Sequence, residues 1–193
     1  MASSIIGAFE QTVGKFPDEP AARHRDASDA WATLTWSQMD DARRAVAAGL
    51  VELGFEAGER ATILAGTSLN WMLADLGILS SGGQTVPIYQ SNLASECQYI
   101  LQDCEAVLAF VENREQLEKL QSVRAELPKL RKVVVFSGET DDSDWTMSWD
   151  ALVELGRSKL DAHAAAVRSR SDFFFDDAAP TEIYTSGTTG RPK

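Results

Sequence analysis

Apolar positions change their spacing in a regular way along the chain. In TWSQMDDARRAVAAGLVELG, Met39, Ala42, Val46, Leu50 and Leu53 recur every three or four residues and mark one face of a helix. Thr35 stands three residues before Gln38, the spacing of a capping box, and Gly54 supplies the stop. A shorter helix precedes it at the start of the chain and is ended by FPDEP. RATILA then reads as a short apolar strand. SLNWMLADLGILSSGG is apolar on almost every side, with Asp75 its only charge, which describes a buried helix ended by Gly82 and Gly83.

The alternation continues. TVPIY is a second strand, and Pro87 inside it removes a ladder donor, so an edge position or a kink is expected there. ASECQYILQDCE returns to helical spacing, AVLAFV is a third strand, and REQLEKLQSVRAEL is a helix with Leu117, Leu120 and Leu127 on one side, stopped by Pro128. KVVVF is a fourth strand. An acidic loop leads to a last helix, SWDALVELGRSKL, with Ser148 as its cap. DAHAAAVRSRSDFFFDDAAP breaks the rhythm and reads as a connecting segment, and TEIYT as one further strand. Strands alternating with helices at this length predict an α/β fold, a mostly parallel sheet with helices on both faces and right-handed crossovers.

Composition narrows the function. The chain has 193 residues, ordinary for one large domain or for one domain with part of another. Against 18 basic residues stand 29 acidic ones, a formal charge of −11, and no Lys/Arg block offsets them. A protein that binds nucleic acid must neutralise phosphates with clustered cations, so that partner is not expected. The run ETDDSD lacks the Gly and distal Glu of a calcium loop and reads as solvated surface. Cys97 and Cys104 fall on one helical face as small apolar residues, and His24 and His163 show no metal-ligand spacing. So few cysteines fit a reducing compartment. MASSIIGAFEQ has neither the basic start nor the apolar run of a signal peptide, and no stretch is long enough to span a bilayer. The expected location is cytoplasmic, with loose contact to a membrane surface left open.

The chain closes on EIYTSGTTGRPK. Gly187 and Gly190 let backbone N–H groups converge on an anion, Thr185, Ser186, Thr188 and Thr189 add hydroxyl donors, and Arg191 and Lys193 bring positive charge, with Pro192 stiffening the approach. GTTG alone is more often a plain turn; the whole string after a strand is a stronger phosphate-binding signal. Its G-x-x-G-x-x-K spacing is neither a Walker loop nor a dinucleotide fingerprint.

YTSGTTGRPK resembles the phosphate-binding signature of the adenylate-forming superfamily, which includes acyl-CoA synthetases, luciferases and peptide-synthetase adenylation domains. GERATILAGTSLNWMLADLGILSSGGQTVPIY and LTWSQMDDARRAVAAGL look like the N-terminal block of those enzymes, and PIYQSNLASECQYILQDCEAVLAFV is most similar to long-chain fatty acyl-CoA synthetases. The likeness is weakest over 137–175, and Glu182 interrupts a pattern that is mostly apolar in relatives.

The resemblance implies the N-terminal part of the adenylate-forming fold: residues 1–171 as an α/β subdomain, and 172–193 as linker, strand and phosphate loop leading into a further region. It implies a ligase that joins a fatty acid to coenzyme A with ATP and Mg²⁺. In it Thr185, Ser186, Gly187, Thr188, Thr189, Gly190 and Lys193 bind the nucleotide phosphates, and Thr185 also contacts the metal. Adenine recognition, the acyl tunnel, an acidic magnesium ligand and a mobile lysine lie downstream in the family. The 193-residue chain is therefore expected to be an N-terminal piece, inactive alone, whose partners are small-molecule substrates and the rest of its own chain. Two alternatives stay open: an aryl- or amino-acid-activating member of the superfamily, and a nucleotide-binding module that does not catalyse.

Overall fold

The computed structural model describes residues 4–26, 28–141 and 143–171. Helix α1 (Ile5–Lys15) starts where the Ser4 side chain accepts the Gly7 N–H at 2.9 Å, and an antiparallel hairpin, β1 (Pro20–Arg25) and β2 (Trp31–Thr35), follows it. The hairpin was not among the predicted elements. Helix α2 (Trp36–Glu52) begins with the expected capping box: Gln38 N donates to Thr35 Oγ1, and Thr35 N donates to Gln38 Oε1. It ends as the glycine foretold. Gly54 has φ +76°, its N–H reaches the Val51 carbonyl, and the N–H of Phe55 reaches that of Leu50. This closes two of the orphan carbonyls of the last turn.

The alternating region yields β3 (Arg60–Leu64), α3 (Leu69–Ser80), β4 (Gln84–Ile88), α4 (Ala94–Asp103), β5 (Leu108–Val111), α5 (Arg114–Ser122), β6 (Lys132–Val135), β7 (Thr146–Ser148) and α6 (Trp149–Arg170). The five strands β3 to β7 form one sheet in the order β4-β3-β5-β6-β7, every pair parallel. The predicted α/β class holds, and Pro87 sits in β4, which is an edge strand, as its missing donor requires.

Side-chain alternation divides the core into two layers. In β5, Leu108 and Phe110 join one layer while Ala109 and Val111 join the other, and all four are buried. The first layer packs α1, α2, α3 and α6 over Ala61, Ile63, Phe110 and Val134. The second packs α4 and α5 over Leu64, Val86, Ile88, Val133 and Val135. Strands buried on both faces are what a parallel sheet with helices on each side demands. Cys97 and Cys104 lie in the second layer as free, buried thiols, and burial pushes the Cys104 thiol up to about 11.

Three expectations need correction. The last helix does not stop at Leu160: DAHAAAVRSR, read as connecting chain, continues α6 to Arg170. Its alanines favour helix, Val167 is buried, and Arg170 Nη1 donates to the Phe55 carbonyl at 2.7 Å, which fastens the end of α6 to the body. Helix α5 stops at Ser122, and a separate 3₁₀ turn over 124–126 brings Leu127 and Leu130 into the second layer. The acidic run is also more ordered than a bare solvated loop. Asp141 accepts from Ser143, Thr146 and the Gln121 amide. Among the described residues no group of three His, Cys, Asp or Glu side chains could hold a metal ion.

Candidate functional site

In the five-stranded sheet β3 comes first in the chain, β4 is laid on one side of it and β5 on the other. The chain direction across the sheet therefore reverses between β3 and β5. In open α/β sheets ligands bind in the crevice outside the carboxyl ends of the strands at such a reversal. The residues that follow β3, β4, β5 and β6 line this end: Gly66, Gln90, Glu112 and Ser137.

These residues are tied to one another. Glu112, immediately after β5, accepts the N–H of Gly66, two residues beyond β3, on Oε2 at 2.8 Å. Its own N–H continues the ladder to the Leu64 carbonyl at 3.0 Å, and its carbonyl accepts both the N–H and the hydroxyl of Ser137, at 3.1 and 2.9 Å. One residue thus joins the loops after three neighbouring strands. The Gln90 side-chain amide lies over Gly66, where a β-carbon would come within 3.0 Å of Gln90 Oε1. Lys119 of α5 donates from Nζ to the carbonyls of Gln90 at 2.6 Å and Asn92 at 3.1 Å, which fixes the loop after β4.

Helix starts flank the crevice. Ser68 caps α3 by accepting Trp71 N at 3.2 Å, and Asn113 caps α5 by accepting Gln116 N at 3.2 Å. Both caps use the side-chain types that hold the chain extended before the first helical turn.

Thr185, Ser186, Gly187, Thr188, Thr189, Gly190 and Lys193, expected to form the phosphate loop, lie outside the described residues, as do Glu182, Arg191 and Pro192. Glu112, Gly66, Gln90 and Lys119 were not singled out in the sequence. For the first three the one available signal was position, because the residue directly after a predicted parallel strand stands at the carboxyl edge; Lys119, inside α5, carried no such signal. Among the described residues no helix is long and apolar enough to cross a membrane.

Known proteins agree with this architecture. The structure superposes on the anthranilate CoA ligase AuaEII in complex with anthranoyl-AMP with a TM-score of 0.70, at 25% identity, covering 77% of this chain and 27% of that one. It also superposes on the fatty acyl-adenylate ligase from L. pneumophila in complex with acyl adenylate and pyrophosphate, with a TM-score of 0.60 at 20% identity, covering 81% of this chain and 25% of that one; this second likeness concerns the fold alone. In sequence the chain is 38% identical over 167 residues, 84% of its length, to the long-chain-fatty-acid–CoA ligase FadD15 of Mycobacterium bovis, covering 26% of that protein. It is 33% identical over 191 residues, 98% of its length, to the long-chain-fatty-acid–CoA ligase ACSBG2 of Xenopus laevis, covering 25% of that protein. The chain thus spans about a quarter of the length of the curated relatives it matches. The family described as AMP-binding enzyme matches residues 9–193, nearly the whole chain, and it is to this family that the chain belongs.

Proposed function

We propose that this chain is the N-terminal part of an AMP-forming acid–thiol ligase that activates long-chain fatty acids. The observation that carries the reading is the identity, across most of the chain, to relatives named long-chain-fatty-acid–CoA ligases. The sequence TSGTTGRPK supports it, because the first half-reaction requires donors aimed at phosphate.

The reaction has two displacements. A fatty carboxylate oxygen attacks the α-phosphorus of ATP and the bond to pyrophosphate breaks, giving acyl-adenylate. The sulfur of coenzyme A then attacks the acyl carbon, its proton leaves, and the bond to AMP breaks. The first step places new charge on the departing pyrophosphate. Backbone N–H groups around Gly187 and Gly190, the hydroxyls of Thr185, Ser186, Thr188 and Thr189, and the Lys193 ammonium are the donors assigned to that charge. Mg²⁺ fits the same segment through its donor chemistry: the Thr185 hydroxyl is a hard oxygen, the type this ion takes beside substrate phosphates. When bound, the ion would lower the charge of the triphosphate. The two free, buried cysteines agree with a reducing cytoplasmic setting.

The test is carboxylate-dependent exchange of label between pyrophosphate and ATP. It should be run on a protein of the relatives' length that carries this chain, with palmitate, a short-chain acid and an aromatic acid, and on the 193-residue chain beside it. Exchange is expected with palmitate, falling about 10²–10³-fold in Lys193→Ala, the usual effect of removing one such donor. The short chain is expected to give none. Silence with every acid would refute the ligase. The superposition on an anthranilate CoA ligase favours a second reading, aromatic-acid activation, and exchange with the aromatic acid alone would establish it.

A further inference from the structure

We propose that the open edge of β4 is the docking site of residues 181–185 of the same chain, which join the sheet there as a sixth parallel strand. The path of α6 and the hand of the crossovers carry this placement.

Three helical crossovers already share one hand. From β3 the chain moves to β4 through α3, which packs in the first layer. From β4 to β5 and from β5 to β6 it moves toward the opposite edge through α4 and α5, which pack in the second layer. Helix α6 leaves β7, the far edge strand, and its Trp149 and Leu152 lie in the first layer. Parallel crossovers keep the right hand in about 98% of cases. A strand that follows α6 must therefore lie on the β4 side of β7. The positions up to β4 are filled, and among the described residues the one open place on that side is the outer edge of β4.

The end of α6 stands where this path requires. Its 22 residues span about 33 Å, enough to cross a sheet of five strands about 19 Å wide. Arg170 Nη1 donates to the Phe55 carbonyl at 2.7 Å and Nη2 to Glu56 Oε2 at 2.9 Å. A β-carbon on Gly82, two residues before β4, would stand 3.1 Å from Arg170 Cβ. The chain thus reaches Ser171 at the amino end of β4, having begun α6 at the other end of β7.

The outer edge of β4 can take a partner. Gln84 N donates to the Glu59 carbonyl of the β3 side, so by alternation Thr85 and Pro87 turn their backbone groups outward. Two carbonyls and the Thr85 N–H face the open edge, and Pro87 removes one donor only. TEIYT equals β4 in length, five residues each, and residues 172–180 supply the connection. Its Thr, Ile and Tyr favour strand. Glu182, which breaks the apolar pattern, suits an edge strand, where a charge keeps access to water. Ser186 would then follow at the carboxyl end of β4, the end that also carries Gly66, Gln90, Glu112 and Ser137. The docking is independent of the ligase reading; only the use of the phosphate motif at that end rests on it.

The experiment is disulfide trapping, in the 193-residue chain and in a protein of the relatives' length that carries it. Thr85→Cys in β4, or Met147→Cys in β7, is combined with single Cys substitutions across 181–185 and oxidised with diamide. Neighbouring strands stand about 4.8 Å apart, inside the Cα separation of about 4.4–6.8 Å that a disulfide spans. The native thiols, Cys97 and Cys104, are buried in the second layer, whereas Thr85 stands beside Ala61 of the first. Thr85→Cys should form bonds at alternate positions of the segment, at least about tenfold faster than Met147→Cys.

Equal or faster trapping by Met147→Cys would overturn the inference, as would no trapping by Thr85→Cys in either protein. Should the cysteine variants fail to fold, amide exchange in the 193-residue chain decides between wild type and Ile183→Pro. The Thr85 amide should exchange about tenfold faster in the variant, the worth of one hydrogen bond, while the Phe110 amide of β5 keeps its rate. A Thr85 amide with the same rate in both would count against the docking. Trapping at β4 with no acid-dependent exchange in the longer protein would leave the inference intact and sink the ligase. Acid-dependent exchange without trapping would do the reverse.

Discussion

Gly156 of α6 presses against Ala45 of α2 so closely that a β-carbon on Gly156 would stand 1.7 Å from the Ala45 carbonyl oxygen. Gly49 of α2 returns the contact, with its own missing β-carbon 2.7 Å from the Leu152 carbonyl. These two helices, both on the same face of the sheet, touch backbone to backbone, and glycine on both sides permits it.

Gly156→Ala is therefore expected to be strongly destabilising despite alanine's better helix propensity. The obstructing atom is backbone, which cannot rotate away, so α6 must lift from α2. A loss of about 3 kcal/mol is expected, the upper part of the usual overpacking range. Gly14 in α1 provides the contrast: nothing lies within 4 Å of its missing β-carbon. Gly14→Ala should gain about 0.5–1 kcal/mol from propensity alone. Urea unfolding of both variants, with midpoints compared at unchanged slope, checks the pair.

Arg43 is 2% exposed, the most buried charge described. Its guanidinium donates to Asp40 at 2.6 Å, Glu10 at 3.0 Å and the Ser80 hydroxyl at 2.8 Å, and it lies over the Phe9 ring at 5.5 Å. It joins α1, α2 and α3. Arg43→Ala should cost about 3 kcal/mol, near the lower limit for breaking a buried pair, because Asp40 keeps Arg44 as a partner at 3.1 Å. Arg43→Lys should recover only part, since a single ammonium cannot span the fork. Thermal unfolding of the two variants should show that order.

Some of this was legible in the sequence and some was not. The α2 boundaries were written in Thr35, Gln38 and Gly54, which act within a turn of their own positions. The edge position of β4 was written in Pro87. The β1–β2 hairpin was missed because its strands, PAARHR and WATLT, are half exposed and lack a clean apolar alternation. The end of α6 was missed because its helical face carries only one buried apolar residue near the end, Val167. The Gly66–Glu112 bond depends on strand order, which no local pattern encodes. The phosphate loop was the reverse case: a short, dense motif readable without any knowledge of packing.

Two carboxyls should give opposite pH dependence. Burial raises the Asp75 carboxyl above the ordinary aspartate value of 3.8, against the lowering effect of the Thr85 hydroxyl. Above 3.8 and up to its folded pKa, the folded chain retains a proton that the unfolded chain has released, so stability falls as pH rises across that window. Asp75→Asn removes the need to bury a charge. It should melt higher than wild type at pH 7, and the difference should vanish below the unfolded value.

Asp141 runs the other way. Hydrogen bonds from the Ser143 and Thr146 side chains outweigh its slight desolvation and hold its carboxyl down to about 2. Between about 2 and 3.8 the unfolded chain binds a proton that the folded chain refuses, so stability rises with pH across that window and is complete above it. Asp141→Asn should therefore lower the melting temperature at pH 7 and lose that deficit as pH falls toward 2. Because the carboxylate also ties Gln121 of α5 to the loop before β7, the loss at neutral pH should come with faster amide exchange at Ser143 and Thr146. A variant that melts lower at pH 7 while those amides stay as protected as in wild type would show that the stability comes from charge alone and not from the loop's hydrogen bonds.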